Sequence, residues 1–532
     1  MKQTRREFLK TSLSGMAYFS TASTVPLWLS KSAQAACLAG VPDDRILVIY
    51  QQAGGNDGLN TVIPYTDPKY YLPEIDGGLR PNLRISTGLE LGDGLNAFHP
   101  KLSRLKSWYD SGNLAVIQNV GYPNPNFSHF ISTDLWELGI SPSGALETEQ
   151  GWLSRFFDNQ CDGGLPNELK PLAMMSNGTV KLPLALSGSI NYFPPSVRSF
   201  DSYSIDIPTY APLGQHIEEY INTLNNLTVT LNSDLDFIQR ASIITQASIE
   251  DMAIANQVPL INQFPGYSDI SLPIESYTLG PGLEMVSKII RAGDFGTRIF
   301  FVQQGGYDNH ANQFGYNGST PDPVNLGDHP ALLNEADASL DAFLGDMEAS
   351  GNLDRVVVMS FSEFGRRPQE NGSQGTDHGT SNCMFLLGGE GVLGGHYGGQ
   401  PDLANLALGN QGGNLQHSVD FRSVYSIVLR DWLGVDPELI FGATDYYDPA
   451  LNIAGGMSGI EVINENAGVE LDEVWVDENY TGAETGSYAR PYQSFSDGAA
   501  KARTGGTVKL KSGSKTIGTA QTISKNITID AE

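Results

Sequence analysis

Cysteine is almost missing from this chain of 532 residues, which has only Cys37, Cys161 and Cys383. Three scattered thiols exclude a disulfide framework and match no zinc-finger spacing; at most one bridge, Cys161 to Cys383, is open to them in an oxidising compartment. Basic residues are also scarce, 32 Lys and Arg against 60 Asp and Glu, for a formal net charge of -28. Acidity of this size repels nucleic-acid phosphates and anionic membranes, and it suits solubility or the attraction of cations. No nucleic-acid partner is expected.

The few basic residues include a cluster at the N-terminus, where Lys2, Arg5, Arg6 and Lys10 precede a modestly apolar stretch and the small-residue site Ala33-Gln34-Ala35. That order is an export signal over residues 1–35 rather than a membrane anchor, so no transmembrane anchor is expected in the mature chain. Arg5-Arg6 followed by Glu7-Phe8-Leu9-Lys10 closely resembles the twin-arginine signal. The resemblance implies passage in the folded state through the twin-arginine translocation machinery to a periplasmic or secreted location. Cys37 follows the cleavage site, but Gln34 is a poor match to the aliphatic residue that lipid attachment requires, which disfavours a lipoprotein.

The chain is organised around Val356–Gly389. Val356–Phe361 is an apolar, β-branched run without alternation, suited to a strand buried on both faces, and it delivers Glu363 at its end. A glycine-rich loop with Asp377-His378 follows. Two other runs share this grammar: Arg45–Tyr50 leads into Gly54-Gly55-Asn56-Asp57-Gly58, and Thr297–Gln303 leads into Gly305-Gly306-Tyr307-Asp308-Asn309-His310. Glycine lets the backbone bend so that a carboxylate turns back over the sheet, and ligands in open α/β sheets gather beyond the carboxyl ends of strands. Three such turns make Asp57, Asp308, His310, Glu363, Asp377 and His378 candidate ligands of one divalent cation: calcium, magnesium, manganese or zinc.

A helical face at His99–Tyr109 and a buried run at Leu114–Val120 complete a strand-helix-strand unit. The Pro/Asn loop Gly121–Phe127 then opens a helix, which places Ser128 at a helix N-terminus as either a nucleophile or a capping serine. His129 reads more simply as a packed or capping histidine. Helical periodicity marks an insertion at about 205–260, and the helix Ala331–Ala349 leads straight into the central strand. This alternation predicts a parallel, doubly wound sheet within an α/β domain over 45–445. A linker follows at 446–472, then a β-rich tail at 473–532. The Gly505-Gly506 turn-and-strand pattern of that tail resembles the opening of a pectate-lyase-like right-handed β-helix, cut short after one or two coils.

Across about Arg45–Gly442, the motifs GGNDGLNTVIPY, HPKL, GYPNPNFSHF, GGYDNHANQ, SEFGRR, GTDHGTSN and DFRSVY together resemble the domain-of-unknown-function 1501 family, exported bacterial proteins related to sulfatases and the alkaline phosphatase superfamily. The resemblance implies an alkaline phosphatase-like mixed sheet with divalent-metal ligands at strand ends. It implies Ser128 in the nucleophile position and Arg366 or Arg367 steadying an anion. It also implies a phosphoric or sulfuric ester substrate, such as a sulfated or phosphorylated polysaccharide. Glu363 stands where an Asp-His pair is usual, unless Asp377-His378 is itself that pair. With Glu363 there, the centre becomes richer in oxygen, closer to calcium, magnesium or manganese than to zinc. Ser128 lacks the Cys-x-Pro-x-Arg context of formylglycine sulfatases. The alternative is a noncatalytic, metal-stabilised surface or carbohydrate-binding protein.

Overall fold

The apolar runs at the head of each acid-bearing turn become neighbouring strands of one nine-stranded mixed sheet with helices on both faces. The computed structural model describes residues 45–140, 148–160, 174–177, 182–189, 194–203, 213–228, 234–266, 279–293, 295–408, 412–442, 462–463, 471–477, 479, 491–511 and 525–531. The export signal, Cys37, Cys161 and nearly all of the 446–472 linker lie outside the described residues.

In chain order the elements that frame the site are strand β1 (Ile46–Gln52), helix α1 (Ser103–Asp110), β2 (Leu114–Gly121), α2 (His129–Leu138) and α3 (Trp152–Gln160). Next come β3 (Met174–Asn177), β4 (Ser196–Val197), α4 (Leu213–Asn225), α5 (Asp234–Asn256), α6 (Leu279–Ala292), β5 (Ile299–Gln304) and α7 (Asp328–Ala349). They are followed by β6 (Val356–Phe361), β7 (Gly365–Glu370), β8 (Thr376–Gly379), β9 (Asn382–Gly388), β10 (Gly395–Tyr397), β11 (Val419–Asp420) and α8 (Phe421–Ile427).

The sheet order is β10-β2-β9-β6-β1-β5-β3-β4, with β11 also paired to β2. β1 lies between β6 and β5, parallel to both, with Val48 opposite Val358 on one side and Phe300 on the other. Only β9 runs against its neighbours, β6 and β2. The three acid-bearing turns therefore leave adjacent parallel strands at the same sheet edge. Burial of both faces explains why β1, β5 and β6 read as unbroken apolar runs.

Successive side chains of a strand point to opposite faces. Leu47, Ile49, Phe301, Val357 and Met359 face a core with Trp136, Trp152, Phe421 and Tyr425 from α2, α3 and α8. Ile46, Val48, Phe300, Val302 and Val358 face a second core with Leu105, Leu283, Val286, Leu340 and Phe343 from α1, α6 and α7. Cys383 on β9 belongs to this second core as a buried free thiol.

The tail contains three parallel strands, β12 (Leu471–Val476), β13 (Ala502–Leu510) and β14 (Thr528–Ala531), with a short helix, α9 (Phe495–Lys501), before β13. Val474, Val476, Val508 and Phe495 form its own small core, and Lys501 pairs with Glu390 of the main domain. Among the described residues no helix is long and apolar enough to cross a membrane.

Candidate metal centre

The turn after β1 is built on glycine for steric reasons. Gly54 and Gly55 both have positive φ, +122° and +81°. A Cβ on Gly54 would lie 2.4 Å from the backbone nitrogen of Asp308, and one on Gly55 would lie 2.4 Å from the ring of Phe364. The β1 and β5 turns touch backbone to backbone, and only glycine permits that approach.

Arg366 ties the turns together. Its Nε donates to Gly55 O, its Nη1 to Thr376 O, and its Nη2 to Gly54 O, Tyr307 O and Asp308 Oδ1. The side chain is 1% exposed. Its planar donor fork is thus committed to four backbone carbonyls and one carboxylate. This differs from the expectation that Arg366 steadies a substrate anion: the bonds of its buried guanidinium fix the loops and orient Asp308.

Asp57 also differs from the sequence reading. It caps the short helix Gly58–Thr61 through Leu59 N. Its two oxygens receive Arg80 Nη1 at 2.6 Å and Nη2 at 2.9 Å, with Gln313 Nε2 as a further donor. Burial alone would raise the Asp57 pKa, but Arg80's charge and hydrogen bonds outweigh it and leave the carboxyl below its usual range. A carboxylate saturated in this way has no lone pair aimed at the cluster formed by the other candidates.

That cluster centres on Asp308 Oδ1. Nε2 of His310 and Nε2 of His378 each lie 3.2 Å from it, and Nε2 of His129 lies 3.4 Å away. His129 Nδ1 faces Glu363 Oε1 at 2.8 Å, and His378 Nδ1 faces Phe127 O at 2.8 Å. Carboxylate and carbonyl oxygens only accept, so each ring carries a proton on Nδ1; the neutral ring then turns the Nε2 lone pair to the cluster, the form that could hold a cation, whereas the protonated ring donates from Nε2 toward Asp308. His310 Nδ1 lies 3.5 Å from Asp377 Oδ1, and its Nε2 is 2.8 Å from that of His378. His129 Nε2 is buried and, although close to Asp308, is not aligned for a hydrogen bond with any group.

Electrostatics match the geometry. Burial works against ionisation of Asp308, but the hydrogen bonds from His378 and Arg366 and the charges of Arg366 and His129 hold its carboxyl well below the usual range. The hydrogen bond to Glu363 raises the His129 pKa, whereas burial, reinforced by Arg366, lowers that of His310. The donor atoms of His129, Asp308 and His378 all lie within 4.8 Å of one another, a group that could hold a metal ion. The unpartnered Nε2 of His129, aimed at two further donors, is what a cation at this point requires.

Three of the sequence candidates thus gather at one place, Asp308, His310 and His378, with Asp377 behind His310. Glu363 reaches the cluster only through the ring of His129, and it is further fixed by Gly54 N at 2.8 Å. Ser128 is the N-cap residue of α2, yet its side chain makes no capping hydrogen bond. The bond from His378 to Phe127 O and the placement of the His129 ring hold the residues on both sides of Ser128 against the cluster. His129 is the residue that the sequence reading missed. The available signal was its position in the first turn of a helix that begins at the carboxyl edge of the sheet.

Residues 289–417 match the family model described as Protein of unknown function (DUF1501). The matched stretch is less than half of the chain. It carries Asp308, His310, Glu363, Arg366, Asp377 and His378, while Ser128 and His129 precede it. Among solved structures, the chain is similar to the PsFucS1 sulfatase from Pseudoalteromonas sp. at 11% identity and a TM-score of 0.33, over 78% of this chain and 74% of that one. It is similar to a protein in the alkaline phosphatase superfamily from Vibrio parahaemolyticus at 10% identity and a TM-score of 0.29, over 69% and 70%. It is also similar to the lipoteichoic acid synthase LtaP from Listeria monocytogenes at 11% identity and a TM-score of 0.30, over 76% of each chain. No curated protein matches the chain.

Proposed function

We propose that this protein is an exported, metal-dependent hydrolase of phosphoric or sulfuric esters, with a periplasmic or secreted place of work and an anionic ester, such as a sulfated or phosphorylated polysaccharide, as substrate. The observation that carries this reading is the convergence of His129 Nε2, His378 Nε2 and Asp308 Oδ1 beside a serine whose hydroxyl makes no capping bond. Two imidazoles and one carboxylate form a nitrogen-rich set, which favours zinc or a similar transition cation over the calcium or magnesium suggested by a Glu363 ligand. Three protein donors also leave a coordination position open, as catalytic sites do. When bound, such a cation polarises an ester oxygen and lowers the pKa of a nearby hydroxyl.

The chain supplies the rest. Glu363 and Phe127 O fix the tautomers of His129 and His378, and Arg366 holds Asp308 ionised. Ser128 supplies the nucleophile at the N-terminus of α2, where the helix dipole favours negative charge. Its Oγ gives up its proton to solvent and forms a bond to phosphorus or sulfur while the ester oxygen departs with the bonding electrons and takes a proton from solvent; water then attacks the same phosphorus or sulfur, the bond to Oγ breaks, and the reprotonated serine and free phosphate or sulfate result.

The test is a panel of phosphate and sulfate esters with added divalent metals, alongside metal content. Ser128→Ala is expected to reduce turnover by several orders of magnitude with the metal still bound. A variant that keeps the wild-type rate, or a folded wild-type protein that takes up no metal, overturns the assignment.

A further inference from the structure

Phe364 is 2% exposed, yet it belongs to none of the four apolar cores formed by the described residues. Its ring instead lies on two histidines of the metal centre, 4.5 Å from His378 at an interplanar angle of 34° and 4.9 Å from His129 at 45°. Gly55 lies against the ring edge, and its positive φ and missing Cβ leave room for Phe364 there. The backbone at Phe364 is fixed as well, because its carbonyl accepts from Asn382 Nδ2. A phenylalanine that only filled space would be expected among aliphatic neighbours. This one is an aromatic wedge between a glycine turn and two imidazoles.

Its sequence neighbours act on the same centre. Glu363 holds Nδ1 of His129, and Arg366 holds Oδ1 of Asp308. The residues Glu363 to Arg366 thus restrain all three donor residues, His129, His378 and Asp308, without offering a donor atom of their own. A hydrogen bond at Nδ1 fixes the position of one ring atom but leaves the ring free to rock about that contact. An aromatic ring packed at a tilt against the imidazole restricts that freedom.

We propose that Phe364 is a positioning residue of the metal centre, setting the ring planes of His129 and His378 so that both Nε2 lone pairs meet at one point, and that Gly55 has no side chain in order to admit it. The inference rests on the metal reading of this site. Groups that orient metal ligands from behind are worth 10- to 100-fold in metal affinity, and an effect of that order is expected here.

The experiment uses the whole exported chain, loaded with zinc or cobalt(II) alone, in four forms: wild type, Phe364→Leu, Phe364→Tyr and Gly55→Ala. Far-UV circular dichroism and the urea midpoint of the metal-free proteins establish that each is folded. Zinc affinity is read by competition with a chelator, and ligand geometry by the visible absorption of bound cobalt(II). Phe364→Leu keeps an apolar group without a flat face and is expected to weaken zinc binding 10- to 100-fold with an altered cobalt spectrum. Phe364→Tyr keeps the face and is expected to stay within about threefold of wild type. Gly55→Ala, which pushes on the ring without touching a ligand, is expected to behave like Phe364→Leu. Wild-type affinity and spectrum in Phe364→Leu, with zinc bound by the native protein, overturn this inference and leave the metal reading standing. A native protein that binds neither ion overturns both.

Discussion

Asp57 separates the two ways of reading this chain, because the sequence makes it a metal ligand and the structure makes it half of a buried ion pair. Both side chains are almost fully enclosed, Arg80 at 0% and Asp57 at 2% exposure. Asp57→Asn keeps the shape and removes the charge, which leaves the Arg80 guanidinium buried opposite a neutral amide. Removing one partner of a buried pair costs about 3–5 kcal/mol. Arg80 would still donate to Pro368 O, Arg367 O and Asn60 Oδ1, so the lower end, about 3 kcal/mol, is expected. Replacing both residues, Asp57→Leu with Arg80→Met, removes the stranded charge and is expected to cost less than Asp57→Asn alone. The assay is urea unfolding at pH 7, followed by the fluorescence of the buried tryptophans Trp136, Trp152 and Trp432, with zinc content measured on the folded protein. Metal content should be unchanged in Asp57→Asn. Stability within about 1 kcal/mol of wild type together with lost metal would refute the ion-pair reasoning and restore Asp57 as a ligand.

Two further outcomes follow from the same physics. Glu335 on α7 is buried, and burial pushes its carboxyl up to about 7 despite hydrogen bonds from Gly280 N and Ser339 Oγ. Because the folded value lies above the unfolded one, its contribution is fully present below about pH 4.5 and is lost as pH rises through about 7. Glu335→Gln should therefore gain about 3 kcal/mol relative to wild type between pH 4.5 and pH 8; parallel stability profiles for the two proteins would contradict this. For export, replacing Arg5 and Arg6 together with lysine should leave the uncleaved precursor in the cytoplasm, and unchanged appearance of mature chain outside would count against the twin-arginine route.

What the sequence determined by itself is local. Unbroken apolar runs leading into turns with an acid mark β1, β5 and β6, because a strand buried on both faces has no polar alternation to show, and Gly54, Gly55 and Gly306 take the positive φ that the turns after β1 and β5 need. The same grammar points to Asp308, His310 and His378. Tertiary structure decided how each acid is used. Asp57 and Asp308 both follow a glycine turn, but Arg80, 23 residues downstream, lies over one carboxylate, while three imidazoles surround the other. Arg366 looks in sequence like a free cation beside an active-site strand, and only the meeting of three loops reveals that carbonyls occupy its donors. His129 reads as a cap until Glu363, 234 residues away, turns its ring. Period and turn chemistry are written in neighbouring residues, whereas the partner of a charge depends on which distant segments the closed sheet brings within about 3 Å.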